Sequence, residues 1–290
     1  MDPLIIEAAI NEQSSKDDNP NVPYSPEECA EDALRCAEAG AAIVHFHARD
    51  PRTGALESPG TETYATAIRL IRAERADLLV YPTYTWADTP EQRFVHIKAL
   101  AEDPTVRLRS ATIDAGAVIF GRFDEAGATI QGGPAFVVLH DEVQYFLSLC
   151  DRYAIQYSVV VREPGHVRMA VAYHRAGWMR GTICFKLNLA DDMLWGLPPS
   201  KAAVDTYMGL VPPDIPFTWI AYTYGPSCWE MTSLAITTGA HVRVGLGDNP
   251  VEADGSRPDN AELVRRVVAM AGEHGRAVAS PDEAHAILTG

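Results

Sequence analysis

The sequence predicts a (β/α)8 barrel, one domain over residues 1–290, on three observations. Short apolar, β-branched runs alternate strictly with longer amphipathic stretches, the pattern of a parallel sheet covered by helices. Eight such pairs fit into about 250 residues, the usual extent of that barrel. A doubly wound open sheet is the competing architecture. It is disfavoured because no glycine-rich phosphate loop follows the first strand and no G-x-G-x-x-G opens a helix. The stretch "GLGDNP" (245–250) has two glycines, but it follows the last strand and ends in Pro250, so its nucleotide signal is weak.

The elements follow in order. "PLIIEAAI" (3–10) reads as the first strand, followed by a polar loop holding Pro20, Pro23 and Pro26. "SPEECAEDALRCAEAG" reads as a helix. Ser25 is its N-cap, Pro26 lies in the first turn, Glu28 stands three residues after the cap, and Gly40 closes it. "AAIVHFH" (41–47) is the second strand. Helices over about 61–75, 90–102, 141–152, 165–176, 200–210 and 227–238 precede the strands "DLLVYPT", "RSATIDA", "AIQYSVVV", "GTICFKLNL", "PFTWIAYT" and "HVRVGLGD". Residues 116–140 are a longer insert with a small hairpin around "FDEAGATI". A helix over about 259–273 and a short terminal helix finish the chain.

Composition narrows the function. The chain is 47% hydrophobic and 22% charged, an ordinary globular composition with ample core. Its formal charge of −15, from 24 basic and 39 acidic residues, opposes nucleic acid and anionic membrane as partners. No run of 18 apolar residues occurs, and "MDPLIIEAAI" lacks the charged and apolar regions of a signal peptide. The five cysteines are odd in number and form no C-x-x-C, so reduced, buried thiols in a cytoplasmic protein are expected.

In such a barrel the active site lies at the C-terminal ends of the strands. Polar residues gather there. Asn11, Glu12 and Gln13 follow the first strand, and His45, His47, Arg49 and Asp50 end the second. Thr83 and Tyr84 end the third, Thr112 and Asp114 the fourth, Lys186 and Asn188 the sixth, and Arg243, Asp248 and Asn249 the eighth. His45 and His47 are two apart on a strand, so both rings leave one face while Phe46 leaves the other. Two imidazoles with Cα atoms about 7 Å apart can close on one metal ion, and neutral imidazole suits Zn2+. The plainer alternative is a pair of hydrogen-bonded histidines. Glu7 interrupts an apolar run, and an interior carboxylate needs a metal or an ion pair. It is a candidate third ligand, with a salt bridge to Arg243 or Lys186 as the alternative. Arg243, also within an apolar strand, should answer a substrate carboxylate or a structural partner such as Asp248. Thr83 and Thr112 are placed to donate to the same anion, although each is also an ordinary strand residue.

The segments "PLIIEAAI", "NPNVPYSPEECAEDALRCAEAGAAIVHFHARDP", "SATIDAG", "TTGAHVRVGLGDN" and "SPDEAHAIL" together resemble the β-keto acid cleavage enzymes, over almost the whole chain and in the same order. That resemblance implies a zinc-dependent barrel, a homo-oligomer (tetramer or dimer), that condenses a β-keto acid with acetyl-CoA into acetoacetate and a new acyl-CoA. It implies His45 and His47 as zinc ligands and Arg243 and Asp248 as the catalytic pair. Thr83 and Thr112, with Asn11 and Gln13 at the rim, are the expected substrate contacts. Two departures stand out. The family's third ligand is commonly a glutamate directly before the "DN" pair, where this chain has Gly247. The family also carries acidic residues on the fifth strand, where this chain has Val160. Strand one adjoins strand eight in a closed barrel, so Glu7 is the expected replacement ligand. The second departure points away from an amino-bearing substrate and toward a neutral or aromatic-contacting tail. A keto-acid retro-aldolase or hydrolase without CoA, and a non-catalytic metal- or ligand-binding barrel, are the alternative functions.

Overall fold

The computed structural model describes residues 1–290 other than 85, 125 and 126. Eight parallel strands form one sheet in the order β3 (Leu79–Pro82), β2 (Ile43–Phe46), β1 (Ile6–Ala9), β10 (His241–Val244), β9 (Phe217–Tyr224), β8 (Ile183–Ala190), β7 (Gln156–Val161) and β4 (Ser110–Asp114). The two outer strands, β3 and β4, pack against each other without ladder pairing among the described residues, so the barrel is nearly closed. The expected meeting of first and last strands is present, with Glu7 directly opposite Arg243.

Period-two alternation sorts the strand residues. Ile6, Ala8, Val44, Phe46, Val242 and Val244 join the apolar layer beneath the helices. Their neighbours Glu7, His45 and Arg243 belong to the opposite face, the barrel interior, and all three are buried. The helices that cover the barrel start where the sequence signals them. α1 (Pro26–Ala39) has Ser25 accepting from the Glu28 amide and Glu28 capping back, a box that stabilises a helix by about 0.5–2 kcal/mol. α2 (Thr61–Glu74) follows β2.

The single helix expected over 90–102 is two, α3 (Pro90–Arg93) and α4 (Val95–Glu102). Phe94 between them leaves helical geometry at φ −110°, ψ 16°, and is fully buried against other aromatic rings. The insert forms the expected hairpin, β5 (Ala117–Asp124) antiparallel to β6 (Thr129–Val137), although part of its turn lies outside the described residues. α5 (His140–Tyr153), α6 (Pro164–Arg175), α7 (Lys201–Met208), α8 (Cys228–Thr238), α9 (Asn260–Glu273) and α10 (Pro281–Thr289) complete the alternation. All five cysteines are buried and free. No helix among the described residues is long and apolar enough to cross a membrane.

Candidate active site

The C-terminal ends of β1 and β2 bring Glu12, His45 and His47 together. His45 Nε2 lies 2.9 Å from one Glu12 oxygen and His47 Nε2 lies 2.8 Å from the other. His45 and His47 point into the same space, as their spacing predicts. The third member is not Glu7. Ala9 is the register partner of His45, so Glu7 lies two residues, about 6.6 Å, deeper in the barrel. Glu12 follows β1 in a loop that turns back over the mouth.

That turn is strained and clamped. Glu12 has φ +34°, a left-handed conformation that costs a non-glycine residue of order 1 kcal/mol or more. The buried Arg49 guanidinium donates to the carbonyls of Asn11 and Glu12 on one side and of Gly54 on the other, and so holds the loop. Gly247 completes the fit from across the gap. A Cβ there would stand 2.6 Å from Glu12 Cγ and 2.8 Å from Glu12 Cβ. The missing side chain at 247 is thus the space that Glu12 fills.

The donor chemistry fits a divalent metal ion. His45 Nδ1 donates to the Tyr81 carbonyl at 3.0 Å, leaving the Nε2 lone pair aimed at Glu12. Burial pushes this imidazole down to about 4, against the pull of Glu12. At neutral pH no proton therefore sits between nitrogen and carboxylate, and two lone pairs face each other at hydrogen-bond distance. A cation relieves that repulsion. The three donor atoms all lie within 4.8 Å of one another, and two imidazoles with one carboxylate suit Zn2+ with an open position. Burial raises the Glu12 carboxyl, but its neighbours, the cationic Arg243 among them, hold it well below the usual range, so it is ionised.

Arg243 ties this cluster to the remainder of the barrel. Its Nε and one terminal nitrogen form a fork on Asp248 at 3.0 and 2.8 Å. The same terminal nitrogen reaches Glu12, and the other reaches Glu7 at 3.3 Å. The Tyr222 ring covers the guanidinium carbon at 3.8 Å. Every guanidinium nitrogen has a carboxylate partner, so the structural-partner alternative for Arg243 holds. Burial pushes the Asp248 carboxyl up to about 6 despite the arginine.

Glu7 takes its ion-pair alternative. Its carboxylate meets Lys186 Nζ at 2.7 Å and accepts from the Tyr81 hydroxyl, all of it buried. Removing the carboxylate in Glu7→Ala strands a buried ammonium. This variant is expected to lose about 3–5 kcal/mol in chemical denaturation while keeping its metal. A Glu7→Leu/Lys186→Met double variant should recover part of that loss, because an apolar pair replaces the ions while Tyr81 and one Arg243 nitrogen lose their Glu7 partner.

The other expected contacts divide. Thr83, Thr112 and Gln13 line a cavity of about 360 Å3 that also holds the triad and Arg243. His96 on α4 fixes the Thr83 carbonyl at 2.6 Å. Asn11 does not reach this cavity. It is fully buried, accepts from the His47 amide at 2.8 Å, and donates to the carbonyls of His47 and Pro23. It is a strut holding the end of β2. Arg162 and Trp195, which the sequence reading did not single out, stand in the cavity wall. Asp114 ends β4 as expected and is engaged there by Tyr84 and Arg162.

A parallel barrel whose mouth carries two histidines, a carboxylate and a buried arginine–aspartate fork has the make-up of a polar small-molecule enzyme. The model of one such family, the beta-keto acid cleavage enzymes, matches residues 3–289. The chain belongs to that family and is an enzyme of the β-keto acid cleavage type. It is 30% identical to a 3-keto-5-aminohexanoate cleavage enzyme of Fusobacterium nucleatum, over 100% of this chain and 98% of that protein. It is 27% identical to a 3-oxoadipate:acetyl-CoA acetyltransferase of Cupriavidus necator, over 99% and 94%. A 3-dehydrocarnitine:acetyl-CoA trimethylamine transferase of Rhizobium meliloti is 26% identical over 91% and 88%. Among solved structures, apo ObcA superposes with TM-score 0.71 at 18% identity, over 93% of this chain and 65% of that one, a likeness of fold.

Proposed function

We propose that the protein is a zinc-dependent β-keto acid cleavage enzyme that condenses a β-keto acid with acetyl-CoA to give acetoacetate and a new acyl-CoA. The observation that carries this reading is the Glu12–His45–His47 triad at the mouth of a family barrel. Relatives named as acetyl-CoA transferases of keto acids support the CoA partner. Written out, R–CO–CH2–COO⁻ and CH3–CO–SCoA exchange acyl groups to give CH3–CO–CH2–COO⁻ and R–CO–SCoA, with no oxidant and no protein-bound acyl group.

Glu12, His45 and His47 hold the metal, which supplies Lewis acidity toward a keto oxygen. Thr83 and Thr112 stand in the cavity wall with their hydroxyls donating to the Tyr84 and Ser158 carbonyls at 3.5 and 3.3 Å, long bonds that would turn to a substrate carboxylate, and Gln13 stands at the mouth. Asp248 is the base that takes a proton from the carbon between the keto and carboxylate groups. Arg243 aims it, since the fork fixes both carboxylate oxygens. A trough of about 800 Å3 shares Glu12, Gln13, Trp86, Phe120, Trp195 and Tyr224 with the cavity and opens outward, giving acetyl-CoA a route to the triad.

The purified protein is expected to carry about one zinc per chain, read by elemental analysis. Chelation should abolish acyl-CoA formation from acetyl-CoA and a β-keto acid, and added Zn2+ should restore it. Turnover that survives complete removal of the metal would refute its role. Free acid or aldehyde in place of acyl-CoA would instead favour a hydrolase or retro-aldolase.

A further inference from the structure

Across the mouth from the triad, the cavity wall ends in a cation with unused donors. Arg162 directly follows β7 and lines the cavity together with Glu12, His45 and His47. One terminal nitrogen pairs with Asp114 at the end of β4, and Tyr84 donates to the other Asp114 oxygen. The Arg162 side chain is 12% exposed, and its Nε has no hydrogen-bond partner. Two aromatic rings flank the guanidinium, Trp195 at 5.6 Å and Phe120 at 5.8 Å. The indole Nε1 of Trp195 is likewise buried without a partner, and Trp195 lines the same cavity. Buried donors left unpaired are costly, and two of them at one end of a cavity call for an acceptor.

The remaining wall sets the sign of that acceptor. Val160, two residues before Arg162 and opposite Asp114 in register, brings no charge. Asp114 is already engaged by Arg162 and Tyr84. At this end an ammonium on the substrate tail would meet a guanidinium whose neighbouring carboxylate, Asp114, is already engaged; Glu57 also lines the cavity, with the Thr63 hydroxyl donating to one of its oxygens. An apolar tail would leave both donors unpaired, and a carboxylate is the acceptor that also meets the guanidinium's charge. Phe136 and Trp86 line the span between with apolar surface.

We infer that Arg162, with the Trp195 indole, is the specificity-determining end of the site and selects β-keto acids whose tail terminates in a second carboxylate. The inference rests on the cleavage reading for the identity of the reacting end. The tail carboxylate bonds the free side of Arg162 while Asp114 keeps the other side in place, an arrangement in which planar guanidinium serves better than ammonium.

The test compares three keto acids with the zinc-loaded protein: 3-oxoadipate, 3-oxohexanoate of the same length without the terminal carboxylate, and 5-amino-3-oxohexanoate. Binding is read by calorimetry and turnover by acyl-CoA and acetoacetate formation with acetyl-CoA. 3-Oxoadipate is expected to bind and react about 10–100-fold better than the other two, the usual worth of a charge-assisted hydrogen bond. Arg162→Met should erase that advantage, raising the KM for 3-oxoadipate about 10–100-fold to the level of 3-oxohexanoate. Arg162→Lys, which keeps the pair with Asp114, should retain part of it. Trp195→Phe should lower 3-oxoadipate binding several-fold more than it lowers 3-oxohexanoate binding. Equal binding of all three acids, or equal losses for all three in both Arg162 variants, overturns the assignment. Preferential 3-oxoadipate binding without acyl-CoA formation upholds the tail assignment and brings down the cleavage reading instead.

Discussion

Glu12→Gln should leave the barrel folded and strip it of its metal. The amide keeps the shape of the side chain but removes the charge that binds a cation between two neutral imidazoles. Loss of an outer-shell partner in a metal site typically costs 10–100-fold in affinity or activity, so loss of a ligand should exceed roughly 100-fold. Elemental analysis after dialysis, with acyl-CoA formation in parallel, reads both effects. Gly247→Ala is the companion variant, because it touches no ligand. Its methyl would stand within 2.8 Å of two Glu12 side-chain carbons and 2.9 Å from the Ala9 carbonyl, so the carboxylate must move. Metal affinity should fall here too, by about 10–100-fold. Stoichiometric zinc in Glu12→Gln would show that the histidines find their third ligand elsewhere. Full affinity in Gly247→Ala would show that the loop tolerates displacement.

The sequence carried the barrel because hydrophobic period and helix caps are local signals. Ser25 with Glu28, and Gly239 at φ +88°, end their helices where composition says they should. The histidine pair was legible for the same reason, since period two is fixed by the strand itself. What failed was the third ligand, and the failure is one of depth. Alternation tells which face Glu7 occupies, but not which layer of the barrel interior it reaches. The register Ala9–His45 sets that layer, and it arises from strand pairing between distant segments. Glu12 needed two further non-local facts, a left-handed residue held by Arg49 and an empty side-chain position at 247. A clue was present in the sequence, since a glutamate missing from one rim position invited a search of every rim carboxylate, Glu12 among them. Asn11 misled because a polar residue at the rim looks available, whereas its amide bonds the backbone on both sides. Arg162 carries no periodic signal because it falls one residue beyond the apolar end of β7.

Asp248→Asn should be the most damaging change that leaves the metal in place. General-base catalysis contributes typically about 10²–10⁴-fold, and the asparagine cannot accept a proton. It also turns one amide donor toward Arg243, so one arm of the fork is lost. Breaking a buried pair costs about 3–5 kcal/mol, and the Tm must therefore be read alongside the rate. The pH profile separates a base from a strut. The base works only when ionised. Burial pushes the Asp248 carboxyl up to about 6, so the wild-type rate should fall as pH drops through that region. A bound cation nearby favours the ionised form and shifts the limb toward lower pH. In Asp248→Asn the limb should vanish, and the residual rate should be flat across that range with zinc content unchanged. A strut would behave differently: its loss would lower stability and rate at every pH while leaving the acidic limb in place. The guanidinium that fixes Asp248 also reaches Glu12, so zinc content in Asp248→Asn reports whether the lost arm of the fork disturbs the ligands. With the zinc retained, disappearance of the acidic limb is the mark of a lost base, because a loosened fork alone leaves that limb in place.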